Sequence, residues 1–160
     1  MSMICIPESY KIVQALTPAT DASGRTGTYV SLKNVNRAYI VCNITQGVAT
    51  TIALTPKQAT AVAGTSVKAL TNNIPIWVNA DTATSDTLTK QSDALTFTTD
   101  SGIKSKVVVF QIDPQKLDID NEFDCITIVT GASSSSNITS AIYLLDMKTQ
   151  KSTPPSAITD

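Results

Sequence analysis

The sequence contains no histidine. That absence removes the Ser/His and Cys/His pairings of nucleophilic catalysis, the side chain that most often acts as a general base near neutral pH, and the commonest metal ligand. Charge is scarce as well: Lys, Arg, Asp and Glu make up 16% of the 160 residues and nearly cancel, to a net charge of -1. A chain so balanced has no basic footprint for tracking phosphates. With an aromatic content of only 5% it also offers few platforms for stacking bases, so no nucleic-acid partner is expected. No apolar run approaches the roughly 20 residues of a membrane span, so no membrane partner is expected either. The opening MSMICIPESYKIVQAL lacks a basic leading segment, and Pro7, Glu8 and Ser9 interrupt what would have to be the apolar stretch of a signal peptide; secretion is not expected.

Cysteine is limited to Cys5, Cys42 and Cys125, widely spaced, odd in number and without a CxxC pair. Two of them lie inside apolar strand-like runs. They read as small buried hydrophobes in a chain made in a reducing compartment, in preference to a disulfide framework.

What the chain does have is a 42% share of hydrophobic residues and an abundance of Thr, Val and Ile. Its length is enough to bury roughly 70% of the surface its unfolded form exposes, which suits one self-sufficient domain. The composition favours strands and turns over solvated helices. The richest stretch is KVVVFQIDPQKLDIDNEFDCITIVTG, residues 106–131. It reads strand, turn, strand: Val107, Val108, Val109, Phe110 and Ile112 run almost unbroken. Asp113 and Pro114 then open a short turn closed by Leu117, and the chain re-enters at Ile126 to Val129.

Taken in order, residues 1–18 form an apolar arm with no clean period, carrying Ile4, Ile6, Tyr10, Ile12, Val13 and Leu16. Two readings follow. The arm packs on its own domain, or it adds a strand to the sheet edge of a neighbouring subunit. Residues 19–147 form the β-domain and residues 148–160 a polar tail. Within the domain, residues 38–46 and 48–54 predict a hairpin around Gly47. Thr55-Pro56-Lys57-Gln58 resembles a capping box and predicts a two-turn helix over residues 56–63, ended by Gly64. From residue 66 short strands recur every 8–12 residues with turn chemistry between them, the pattern of a sandwich or barrel. Trp77, between Ile76 and Val78, reads as a core residue. The fold class is therefore mainly β: a single-domain, jelly-roll-like β-sandwich with one or two short helices.

Constellations that could carry chemistry are few. Residues 19–27 contain two glycines but lack the Lys-Ser/Thr of a phosphate-binding loop. Asp118, Asp120, Glu122 and Asp124 alternate at period 2, which would place four carboxylates on one side of an extended segment and could hold a structural cation. The glycine and glutamate of an EF-hand loop are missing, Phe123 and Val129 standing in those places, and a solvated acidic crossover is the plainer reading. Asp81-Thr82-Ala83 lacks the glycine and the second copy of an aspartic-protease motif. Asn43-Ile44-Thr45 and Asn137-Ile138-Thr139 are glycosylation sequons without meaning in a chain that is not secreted. No catalytic residue and no cofactor is expected.

Read together, NITQGVATTIALTPKQATAVAG, NNIPIWVNADTATSDTLTKQ, KVVVFQIDPQKLD and FDCITIVTGASSSSNITSAIYLL resemble a class of small virion proteins of tailed bacteriophages. The resemblance covers roughly residues 29–145. It implies a β-sandwich, made in the host cytoplasm, that cements or decorates the capsid surface. The implied partners are the major capsid protein lattice and further copies of the chain, as a dimer or trimer. A neck, head-completion or tail-associated protein would share these traits, and a carbohydrate- or receptor-binding module is a further reading. In that last case exposed aromatics should line one face, whereas Trp77, Tyr10, Tyr29, Tyr39 and Tyr143 mostly read as internal.

Overall fold

Along Ser105–Ile112 burial alternates residue by residue: Lys106, Val108, Phe110 and Ile112 are sealed from solvent, while Ser105, Val107, Val109 and Gln111 are half-buried. A period of 2 puts one face of a strand on a core and turns the other outward. The same alternation runs through Val35–Gln46 and Asn137–Met147, and these three long strands set the architecture. The computed structural model describes residues 3–160, so the first two residues of the 1–18 arm lie outside the described residues. Its strands are β1 (Tyr10–Thr20), β2 (Arg25–Thr26), β3 (Val30–Ser31), β4 (Val35–Gln46), β5 (Ala53–Ala59), β6 (Lys68–Ala69), β7 (Ile76–Asn79), β8 (Thr89–Lys90), β9 (Phe97–Thr98), β10 (Ser105–Ile112), β11 (Cys125–Thr130) and β12 (Asn137–Met147). One helical turn, Ile6–Ser9, precedes them, and two 3-10 turns, Pro114–Lys116 and Ile119–Asn121, lie between β10 and β11.

The first sheet runs β1-β12-β4-β10-β7-β8 and the second β2-β11-β5-β6, with β3 also on β11 and β9 also on β5. The pairs nest: β1 with β12, β2 and β3 with β11, β4 with β10, β5 with β6 and β9. Every pair is antiparallel, and the chain alternates between the sheets. This is the winding of a jelly roll, so the expected β-sandwich is present. Residues 70–96 are an excursion between β6 and β9 that adds β7 and β8 to the far side of the first sheet. Ile40, Ile44, Phe110 and Tyr143 meet Leu54, Ile126 and Ile128 in the shared core, all fully buried.

At one end of the sandwich the chain crosses between sheets at residues 21–24, 47–52, 99–104 and 131–136, and a buried polar network ties these crossings together. The Asn137 side chain accepts from the Gly47 and Val48 amides and donates to the Thr50 carbonyl and the Ser133 hydroxyl. The Asn137 main-chain carbonyl accepts from the Asp21 amide, and the Asp21 carbonyl accepts from the Ser133 amide. The Asp21 carboxylate, 0% exposed, takes the Arg25 guanidinium at 3.0 Å and the Thr139 hydroxyl. Arg25 also donates to the carbonyls of Thr17, Ala19 and Thr139. Beside them the Lys106 ammonium, on an inward position of β10, donates to Gln46 Oε1 and the Gly102 carbonyl and lies 3.3 Å from Asp100.

Several expectations are corrected. Residues 56–63 form no helix: residues 54–59 are laddered in β5 against β11, and six consecutive pairs override a local capping preference. Pro56 is tolerated because β9 and β6 pair β5 only at residues 53–54 and 57–58, leaving its other side free of a ladder partner. Gly64, at φ +77°, serves the tight turn of residues 60–65. Residues 38–46 and 48–54 form no hairpin, because Gly47 starts a crossing and β4 and β5 lie in opposite sheets. The two runs of residues 106–131 likewise belong to opposite sheets, although the 3-10 turn at Pro114, following Asp113 and closed by buried Leu117, forms where expected. Trp77 is half-buried and points away from the core, its ring beneath Lys90, whose Nζ lies 5.5 Å from the ring centroid. The boundary at residue 18 falls inside β1, which pairs with β12 of the same chain. The polar tail folds back: Lys11 Nζ donates to the Pro154 carbonyl, Lys151 N to Glu8, and Ala157 is buried beside Ser31.

The Asp21–Arg25 pair is a buried charge node whose partners are all used. Asp21→Ala is expected to destabilise the protein by about 3–5 kcal/mol in urea unfolding, because the guanidinium is left with carbonyl partners alone. Asp21→Asn, which keeps hydrogen-bonding atoms in place, should lose less.

Candidate functional site

Cross-strand register decides what the outer face of the first sheet carries. One row runs Ile12, Leu144, Tyr39, Gln111 across β1, β12, β4 and β10. The next runs Gln14, Ile142, Val41, Val109, Trp77, Lys90 across all six strands. Toward the crossings follow the rows Ser140, Asn43, Val107 and then Ile138, Thr45, Ser105; in the other direction lies Tyr10, Asp146, Arg37. An antiparallel sheet face turned to water normally carries polar residues at these positions. Here polar residues stand at the ends of the long strands and, as Gln14, Gln111 and Lys90, at the flanks of the two middle rows, and the positions between them are apolar.

Ile142 is 40% exposed and Ile12 56%. The N-terminal turn adds to the patch: Ile4, Ile6 and Tyr10 join Tyr39, Val41, Val109 and Leu144 in lining an open groove of about 450 Å³. Five strands spaced about 4.8 Å apart and two rows about 7 Å apart make the patch roughly 24 Å by 14 Å. A contiguous apolar surface of that order matches the largest patch of a typical monomer, which is often a functional one.

The six residues singled out in the N-terminal arm separate into two groups. Ile4, Ile6, Tyr10 and Ile12 lie on or over this face, whereas Val13 packs against the core and Leu16 is part of it. β1 is itself an edge strand. Its edge is interrupted by register shifts on both sides of Leu16 and by Pro18, and the opposite edge, β8, is two residues long. Both features hinder the addition of a further strand. The face therefore offers more to a partner than the edges do.

The acidic series does not converge. The Ile119–Asn121 turn and a left-handed Glu122, φ +64°, break the period of 2. Asp118 is held by Lys68 and by Asn121 Nδ2, Asp124 lies 3.6 Å from Lys33, and Asp120 and Glu122 are exposed. Among the described residues no three His, Cys, Asp or Glu side chains gather in a way that could hold a metal ion. The Asp118 carboxyl is kept below the usual carboxylate range, first by its hydrogen bond with Lys68 and then by Asn121. Cys42 and Cys125 are buried and unpaired, and burial pushes both thiols up to about 12, far from the thiolate that reacts or binds metal; Cys5 is exposed.

Sequence reading missed Asp21, Arg25, Asn137 and Lys106. Only Lys106 left a signal: counting back by twos from Ile112 through Phe110 and Val108 reaches an inward position. The outward row Val41, Val109, Ile142 could also have been counted, given the strand order.

No family model matches the chain, and no curated protein matches it. Among solved structures, the SPBc2 prophage-derived protein YomS aligns over 85% of this chain and 92% of its own, at 9% identity and a TM-score of 0.48. A CBM4 chain aligns over 86% of this chain and 68% of its own, at 14% identity and a TM-score of 0.27. A chain of infectious bursal disease virus, Gx strain, aligns over 85% and 39%, at 12% identity and a TM-score of 0.27. Likeness at this level extends to neither activity nor partner. Among the described residues, no helix is long and apolar enough to cross a membrane.

Two outcomes are expected. The folded Asp118 carboxyl titrates below its unfolded counterpart, so the stability it contributes is complete above the ordinary carboxylate range and is lost as pH falls through the folded value. Asp118→Asn should therefore melt below the parent at neutral pH, and the two curves should converge in strong acid. Deleting residues 1–6 removes no buried side chain among the described residues and should cost under about 0.5 kcal/mol. Deletion through Leu16 takes most of β1 with buried Ala15 and Leu16, and should abolish the cooperative melt in scanning fluorimetry.

Proposed function

We propose that this chain is a virion structural protein of the tailed-bacteriophage type, a non-enzymatic β-domain that binds the major capsid protein lattice and stabilises the head as a decoration or cement protein. The observation that carries the reading is the apolar middle of the first sheet's outer face, the rows from Ile12 to Tyr39 and from Ile142 to Trp77. A protein that works by covering and joining surfaces needs such a face and needs no reacting group. The jelly-roll fold, the near-neutral charge and the resemblance of the strand and turn phrases to small phage virion proteins support the same reading. In mechanism, each copy adds buried area across capsomer boundaries, so that the shell resists the pressure of packaged DNA. Attachment through the face replaces attachment through sheet edges, which β1 and β8 serve poorly.

A carbohydrate-binding module is a second reading, favoured by one observation: Trp77 and Tyr39 both lie on the outward side of the sheet. Lys90 sits over the Trp77 ring, which leaves less of it for a sugar to stack on.

Mass-spectrometric counting of this chain against the major capsid protein in purified particles tests the proposal. A copy number on the scale of the capsid protein is expected. One ring's worth of copies would assign the chain to the neck or tail, and absence from particles would overturn the virion reading. Glycan binding lost in Trp77→Ala would select the second reading.

A further inference from the structure

We infer that residues 155–160 are a detachable strap, a segment that closes over the outer side of the second sheet at Cys125 and opens while the sandwich stays folded. The inference is independent of what the outer face of the first sheet binds.

Register places Cys125 where a covering element is needed. Ser31, Cys125 and Ala59 stand opposite one another across β3, β11 and β5 and form one row. Ile126, next along β11, belongs to the shared core, so by alternation this row faces outward. Such a row is ordinarily wet, yet Ser31 is 6% exposed and Cys125 and Ala59 are sealed. Residues 155–160 supply the cover. Leu32 N donates toward β11, to the Asp124 carbonyl, so the Ser31 amide points the other way, and there it meets the Ala157 carbonyl at 2.7 Å. The Asp160 carboxylate accepts from the Val62 amide at 3.2 Å, beyond the end of β5, and lies 3.9 Å from Cys125 Sγ. The segment therefore crosses the row from its β3 end to its β5 end. Closed, it takes up the outward donor of β3 and guards that edge against pairing with another chain.

Little holds the strap down. Ala157 is its one buried side chain, whereas Ile158 is 54% exposed. Among the described residues, its hydrogen bonds to the body of the sandwich are those with Ser31, Val62 and the Cys125 thiol. Pro154 and Pro155 have no amide to donate, so the ladder of β12 cannot run on into it. The approach is anchored separately, by Lys148 N on the Asn34 carbonyl, Lys151 N on the Glu8 carbonyl and Lys11 Nζ on the Pro154 carbonyl. Lifting residues 155–160 breaks none of these. A segment with so few buried contacts opens locally, well below the cost of global unfolding. Cys42 is the opposite case. It is paired with Val108 and Ala141 in the middle of the first sheet and belongs to the core, so reagent reaches it only when the sheets part.

Maleimide labelling of the full chain over a urea series, with each cysteine followed by peptide mass spectrometry, tests the inference. Cys5 is exposed and sets the rate of an open thiol. Below the unfolding transition Cys125 should label faster than Cys42, at a rate nearly independent of urea, while Cys42 follows global unfolding. Ala157→Lys, at a position 2% exposed, should raise Cys125 labelling at least about tenfold and leave Cys42 labelling and the urea midpoint near those of the parent. Ile158→Lys, on the outward side of the strap, should change neither rate. Should Ala157→Lys lower the urea midpoint of the whole domain, Asp160→Ala, at an exposed position, replaces it and should raise Cys125 labelling several-fold. Labelling of Cys125 in step with Cys42 across the urea series overturns the inference, as does a Cys125 rate that neither strap variant moves.

Discussion

The sandwich is held shut at one end by buried hydrogen bonds. Each passage of the chain from sheet to sheet breaks a ladder and strands backbone groups, and a buried group left without a partner costs about 1–3 kcal/mol. Asn137 answers for the passage at residues 47–50 and the one at 131–136, Asp21 and Arg25 join the first passage to β12, and Gln46 with Lys106 secures residues 99–104. Among the described residues no buried side-chain nitrogen or oxygen lacks a partner. The hydrophobic layers supply cohesion, and this network determines which loop lies beside which.

With the crossings fixed, the three long strands β12, β4 and β10 can lie side by side over most of their length, and their outward positions form a continuous surface. The second sheet is different. Its strands are short and broken, and the last residues of the chain lie against it, with Ala157 bonded to Ser31 and Asp160 reaching the Val62 amide. One sheet carries the broad apolar exterior while the other is dressed by the tail.

Much of this was legible in the sequence. The apolar run of residues 107–112 gave a strand where one forms, but not its inward side: it reads as almost unbroken, whereas the structure buries Val108, Phe110 and Ile112 and turns Val107 and Val109 outward. The sheet to which each strand belongs was not legible. β1 pairs with β12 and β2 with β11 across more than a hundred residues, and no local pattern encodes such partners. The capping-box reading of Thr55 to Gln58 failed for the same reason: a ladder supplied by distant β11 outweighs the local preference. Trp77 was misplaced because an aromatic flanked by Ile76 and Val78 sits on the opposite side of the strand from both, and only the strand's surroundings say which side is the core. The carboxylates at 118–124 looked like one cluster because an extended chain was assumed where a 3-10 turn forms.

The nesting of the strands also orders events in time. β4 and β10 can pair before β12 exists, but β1 waits for β12, almost the whole domain later. Non-local closure of this kind is slow and comes late. The two apolar rows include side chains from both β1 and β12, so a nascent or truncated chain cannot present them in register. Wound this way, the outer face of the first sheet is complete only after β12 has been made and has closed against β1.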